Sequence, residues 1–154
     1  MNCLCCGKPV TDAESNTNWH KRCIKSFFGT IELPEIEIDR ATLERLANET
    51  INKGYTVPGV QKKLSLHLLS DGVRPRLTLV NYPTGYILKP QVSDFTALPE
   101  AEHLVMSMAN VSGIVTVPHA LLPGADGYAY ITRRVDRIFT KAKVHMLAWR
   151  TSVN

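Results

Sequence analysis

No cysteine follows Cys23, and the four that the chain has all fall in its first 23 residues. A disulfide scaffold spreads its cysteines to staple distant loops, so this crowding argues against one and points to a metal site in a reducing compartment. Long apolar runs are missing too: no stretch approaches the ~18 residues that span a bilayer, and MNCLCCGKPV has no apolar signal region. The chain reads as cytoplasmic, with no membrane partner. Strong charge of one sign is also absent. A net charge of +4 and a pI near 8.9 suit a solvated basic surface and a phosphate-binding role equally. Internal repeats and low-complexity tracts are lacking, which sets aside solenoids and biased tails. What 154 residues with 44% apolar content can build is one core with a small appendage.

The appendage is the cysteine-rich stretch, residues 1–30. Cys3 and Cys6 form C-x-x-C with Gly7 directly after, and His20 and Cys23 form H-x-x-C further on. Three thiolates and an imidazole at two knuckle spacings predict tetrahedral Zn²⁺. Such a set closes all four coordination positions, so the site is expected to be structural. Cys5 is a spare thiol that competes as a ligand, and unligated cysteines that merely pack are the alternative. Zinc knuckles also bind nucleic acid, but only Trp19, Lys21, Arg22 and Lys25 lie nearby, short of a clustered basic face with aromatics. Phe27-Phe28-Gly29 ends the module.

Pro34 with Glu32, Glu35 and Glu37 reads as a linker into a helix capped by Asp39. Leu43, Leu46, Ala47 and Thr50 or Ile51 recur at helical spacing until Lys53-Gly54 stops it. Then come three short antiparallel strands. Leu64, Leu66 and Leu68 alternate with polar neighbours, as do Leu77 and Leu79, and the third strand ends on Lys89; Ser70-Asp71-Gly72 and Pro83-Thr84-Gly85 make the turns. Ahead of them lies a backbone-exposing loop, Val57-Pro58-Gly59-Val60-Gln61-Lys62-Lys63, with two ammonium groups. A sheet with such a loop at its head and a lysine at the end of its last strand is suited to cover a phosphate chain. Pro99 opens a second helix, with Ala101, Leu104, Val105, Met108 and Ala109 as its expected buried face, Met106 and Met108 as ordinary packing residues, and Gly113 as its end. Residues 115–122 and 128–131 read as a hairpin. The expected fold class is α+β, an antiparallel sheet with flanking helices plus the knuckle.

Taken together, VPGVQKKLSLHL at 57–68, GYILKP at 85–90, LPEAEHLVMSMA at 98–109, VPHALL at 117–122 and YAYITRRVDR at 128–137 resemble successive motifs of the HipA family. Its members are bacterial serine/threonine kinases of toxin–antitoxin systems, and the paired cysteine motifs with Phe-Phe-Gly resemble a zinc-binding extension on its short members. The resemblance implies a kinase N-terminal lobe over residues 31–137. Lys89 would contact the α- and β-phosphates of ATP, Glu102 would pair with Lys89, and the loop of Val57, Gly59, Gln61, Lys62 and Lys63 would cover the phosphates. With Gly59 as its one glycine, that loop lacks the G-x-G-x-x-G form. Thr56 falls where the family often carries a regulatory phosphorylated serine, and Ser65 is a second such position. Arg133, Arg134 and Val135 match the hinge whose backbone reads adenine, although the family tends to have a glutamate and an aromatic where Arg133 and Val135 stand.

The resemblance also implies what is not here. The catalytic aspartate and the Mg²⁺ ligands of phosphoryl transfer belong to the family's C-terminal lobe, and little chain follows Asp136-Arg137. Codons for Trp149-Arg150-Thr151-Ser152-Val153-Asn154, read one base earlier, can spell the family's Met-Glu-Asn-Phe-Cys-Gln, so 138–154 reads as a divergent tail, made by a frameshift or left by a gene reduced to its N-terminal lobe, with a genuine unrelated tail as the alternative. The expected protein is a kinase lobe inactive alone, whose partners would be a kinase C-terminal lobe or a helix-turn-helix antitoxin. A free-standing module docking on a partner kinase is the rival, and a zinc-dependent nucleic-acid binder a third reading. A homodimer covering Ile131, Val135, Ile138, Phe139 and Trp149, or a tail folded back across them, is expected as well.

Overall fold

Alternating leucines and a heptad-like helix leave open which faces meet, and the computed structural model answers that. It describes residues 1–36, 63–70, 74–79, 85–92, 95–124 and 127–135. The helix expected at 39–54, Thr56, the loop through Lys62, parts of the turns near 70–73 and 80–84, and the tail from 136 lie outside the described residues. In chain order come a 3₁₀ turn (Asp12–Glu14), α1 (Lys21–Phe28), β1 (Glu35–Ile36), β2 (Leu64–Leu69), β3 (Arg76–Leu79), β4 (Tyr86–Lys89), α2 (Leu98–Val111), β5 (His119–Gly124) and β6 (Gly127–Arg133). The strands form one sheet in the order β1-β3-β2-β4-β6-β5. All neighbours are antiparallel except β1 beside β3. No helix among the described residues is long and apolar enough to cross a membrane.

Strand alternation gives the sheet two chemically different faces. Opposite partners share a face. Leu64 lies across from Leu88, Leu66 from Tyr86 and from Leu79, Leu88 from Ile131, and Ile131 from Ala120. This apolar face meets the N-terminal module, and the two form one continuous core of Cys3, Trp19, Cys23, Ile24, Phe27 and Phe28 with those strand residues. Burial of each large side chain here contributes roughly 1.5–3 kcal/mol. The opposite face carries Ser65, Ile87, Lys89, Tyr130, Thr132, Leu121 and His119. It is polar at its centre, and α2 lies over β5 and β6 there.

That polarity corrects the expected face of α2. The helix spans the anticipated residues, with Pro99 in its first turn and Gly113 past its end. Its inward stripe, however, is Pro99, Glu102, His103, Met106 and Ser107. Leu104, Val105, Met108 and Val111 stay exposed, at 59%, 63%, 60% and 90%. Both stripes obey the helical period, so spacing alone selects neither. The sheet decides, because Lys89 and His119 need polar partners and the polar stripe supplies them in Glu102 and Ser107. Met108 is therefore not a packing residue.

Three smaller differences have local causes. The acidic linker contributes β1, where Glu35 pairs with Arg76 in register and bonds Arg74 at 3.2 Å, adding one parallel strand to the sheet. β5 begins at His119 rather than 115, since Pro118 has no N–H for a ladder and Val115 is exposed. Ile131, expected on an uncovered surface, is fully buried under the N-terminal module, whereas Val135 is exposed.

Candidate functional site

The four donors that the sequence singles out for a metal are brought together by two tight local structures. In the first, Cys3 N–H donates to the Lys8 carbonyl and Gly7 N–H to the Cys3 carbonyl, both at 2.8 Å. Gly7 sits at φ +70°, in the left-handed region where a side chain would be strained, so the turn that returns Cys6 toward Cys3 uses glycine. In the second, His20 is the N-cap of α1 and Cys23 lies in its first turn; the Cys23 and Ile24 amides both donate to the His20 carbonyl. Placing H-x-x-C across a helix start puts both side chains on one side of the turn. Gly29 closes the helix at φ +78°, its N–H on the Lys25 carbonyl. Glu14 ties the two halves, accepting from the Lys21 amide at 3.1 Å, and that bond, with the Thr11 hydroxyl, holds its carboxyl below the usual range.

The donor atoms of Cys3, Cys6, His20 and Cys23 lie within 4.8 Å of one another, so the set can hold a metal ion. Tetrahedral Zn–S bonds of ~2.3 Å require donor separations of about 3.8 Å. His20 Nδ1 is 3.4 Å from Cys6 Sγ and 3.8 Å from Cys23 Sγ. Its other nitrogen, Nε2, lies 2.9 Å from the Pro9 carbonyl and donates its proton there, which leaves the Nδ1 lone pair facing the thiols. Burial raises the Cys3 thiol, but backbone N–H groups of His20, Cys6 and Cys5 outweigh it and bring the pKa down to about 7. Cys23 is raised, by burial and then by Cys5 and Cys6. Cys5, the spare thiol, stands outside the cluster, and burial with the Cys3 charge pushes it up to about 11.

On the opposite face, Lys89 Nζ donates to Glu102 Oε1, joining the end of β4 to the first turns of α2. Tyr130, across from Lys89 in β6, places its ring 5.2 Å beneath the ammonium. Behind Tyr130 its ring neighbour is His119, whose Nε2 is 3.3 Å from Ser107 Oγ and whose Nδ1 is 3.0 Å from the Val117 carbonyl. Exposed Lys63 precedes Leu64, the partner of Leu88, so register and alternation bring it to the Lys89 end of the same face. Ser65 is half-buried on that face beside Ile87. Arg133 lies in β6, with its amide on the Pro118 carbonyl, and the Arg134 amide is on Gly85. Of the three positions matched to the hinge, the N–H groups of Arg133 and Arg134 are thus occupied within the chain. Sequence reasoning singled out neither Tyr130 nor His103 and His119; the alternation of YAYITR places Tyr130 on the other face of the sheet from Ile131, the one usable signal.

His103 titrates in a way that can be measured. Its Nδ1 is buried with no partner, and desolvation, then the neighbouring His119 ring 5.1 Å away, depress its pKa from 6.5 to about 4. The unfolded chain takes up a proton near pH 6.5 that the fold refuses until about pH 4, so stability is full above 6.5 and falls as pH drops. Allowing for solvent around a half-exposed ring, the loss at pH 5 is about 1 kcal/mol. Thermal melts of His103→Gln should show a smaller drop between pH 7 and pH 5 than the parent chain.

No curated protein matches the chain. A strand lysine braced by a helix carboxylate, on a sheet of this topology, nevertheless coincides with a family match: the model of the HipA-like C-terminal domain covers residues 55–152, more than half of the sequence, and the chain therefore belongs to the HipA-like family.

Proposed function

We propose that this chain supplies the phosphate-gripping side of a nucleotide site in a HipA-type serine/threonine kinase fold, with a zinc knuckle as structural support behind it. The observation that carries the reading is the half-buried pair of Lys89 and Glu102. A lysine that meets the α- and β-phosphates must be held at its strand end, and a helix glutamate is how kinases hold it. Lys63 adds a second cation on the same face, and the Tyr130 ring fills the floor below. Zinc suits the other cluster because three soft thiolates and an imidazole favour it. When bound it would supply cross-linking alone, since four protein donors leave no open position.

Phosphoryl transfer further requires a base and Mg²⁺ ligands. Among the described residues, the group of three or more potential metal ligands is the thiol–imidazole one. The reading accordingly assigns grip, not transfer, to Lys89, Glu102 and Lys63. Titrating Mg-ATP into the chain, followed by NMR shifts on β4, is expected to give a dissociation constant in the millimolar range, because a one-sided site buries little of its ligand. Lys89→Met should weaken it by about tenfold or more. A micromolar constant indifferent to Lys89→Met would sink the assignment.

A further inference from the structure

Hydrogen bonds tie the N-terminal module to two strands of the sheet, and both start within one helical turn of a member of the four-donor cluster. Leu4, between Cys3 and Cys5 in the first ligand turn, accepts a hydrogen bond at 2.9 Å from the Leu121 amide of β5. β5 is an edge strand of the sheet. An open edge exposes unpaired amides, and here the metal-binding turn takes one of them. The second contact runs from α1. Cys23 is one turn before Phe27, whose carbonyl accepts from the buried Tyr86 hydroxyl at 3.2 Å. The Phe27 and Phe28 rings lie 6.0 and 5.4 Å from the Tyr86 ring, and Trp19, beside the ligand His20, packs on both phenylalanines. Tyr86 begins β4, the strand that ends on Lys89. The module grips one face of β4 while Lys89 projects from the other.

From this geometry we infer that the metal centre controls the phosphate-facing strand: occupancy of Cys3, Cys6, His20 and Cys23 holds β4 and β5 in place through Phe27–Tyr86 and Leu4–Leu121, and loss of the metal releases Lys89. The physical reason is that the hydrogen bonds of the ligand turns run mostly between residues close in sequence, whereas the four donors link the first turn to the start of α1. Without the cross-link they lose the geometry that presents the Leu4 and Phe27 carbonyls, and the strands lose both partners together. The device makes the lobe responsive to metal supply. It rests on the metal reading above, but not on nucleotide binding.

Hydrogen exchange of the full chain, metal-loaded and after chelation, tests it with no activity readout. Metal content is measured first; a chain that neither carries nor takes up zinc overturns the centre itself. In a chain that does bind zinc, chelation should speed exchange of the amides at 86–89 and at Leu121 by about tenfold or more. Wholesale loss of sheet signal on chelation is the same result in stronger form. Tyr86→Phe keeps every ligand and the ring, so it should still bind one zinc while exchanging faster at 86–89 even when loaded. Unchanged protection of both strands while residues 1–30 open would overturn the coupling, as would a Tyr86→Phe chain indistinguishable from the parent.

Discussion

Cys23→Ser is expected to unfold the N-terminal module and to lower the melting temperature by more than about 10 °C. A serine hydroxyl does not replace a thiolate for zinc, and metal binding in small knuckles contributes on the order of 10 kcal/mol of folding free energy, of which one lost ligand removes a large part. A cost of about 4 kcal/mol or more converts at roughly 3 °C per kcal/mol in a chain of this size. The effect reaches beyond residues 1–30 because Cys23 is itself a member of the core that includes Leu66 and Ile131. Cys5→Ser is the matched control, since Cys5 stands outside the ligand cluster. It should keep one zinc equivalent and nearly the parent melting point. Metal analysis with calorimetry on the two variants checks both halves, and equal behaviour of the pair would count against the ligand set.

Trp19→Ala should cost about 3–5 kcal/mol, the range for emptying a large aromatic site in a close-packed interior. Trp19 is 0% exposed and sits between the ligand His20 and the rings of Phe27 and Phe28, at centroid distances of 5.8 and 5.6 Å. Its Nε1 is buried without a partner, so the indole carries an unsatisfied donor along with its apolar bulk. Trp19→Phe removes that donor and keeps most of the contact area, and should cost only about 1–2 kcal/mol. Denaturant unfolding followed by far-UV circular dichroism separates them. Similar losses for both variants would mean that the site tolerates no reshaping, and that packing rather than the orphan donor sets its energetics.

Several parts of the molecule were legible because the signal is local. C-x-x-C and H-x-x-C predicted four donors that the fold brings together, since a turn and a helix start are determined by the residues within them. Pro99 and Gly113 bracketed α2 for the same reason, and period-2 leucines marked β2 and β3. Other local signals were there to be used: Cys23, Ile24, Phe27 and Phe28, followed by Gly29, have the spacing and stop of a short amphipathic helix, and α1 is that helix. The pairing of Lys89 with Glu102 followed from family resemblance, and the two side chains do meet. β1 was less accessible, because two residues in an acidic stretch become a strand only when β3 offers an edge.

By itself, then, the sequence determined the elements and the chemistry that neighbouring residues can assemble: a cluster of four donors able to hold a metal ion, alternating strands and a proline-started helix. Tertiary structure alone decided which surfaces meet. Period-2 alternation splits each strand into two faces without saying which is covered, and the helical period of α2 allows both an apolar and a polar inward stripe. Packing resolved both at once. The aromatic residues of the N-terminal module covered the apolar face of the sheet, which left Lys89, Tyr130 and His119 on the other face and obliged α2 to turn Glu102 and Ser107 toward Lys89 and His119, because buried polar groups require partners and exposed leucines do not.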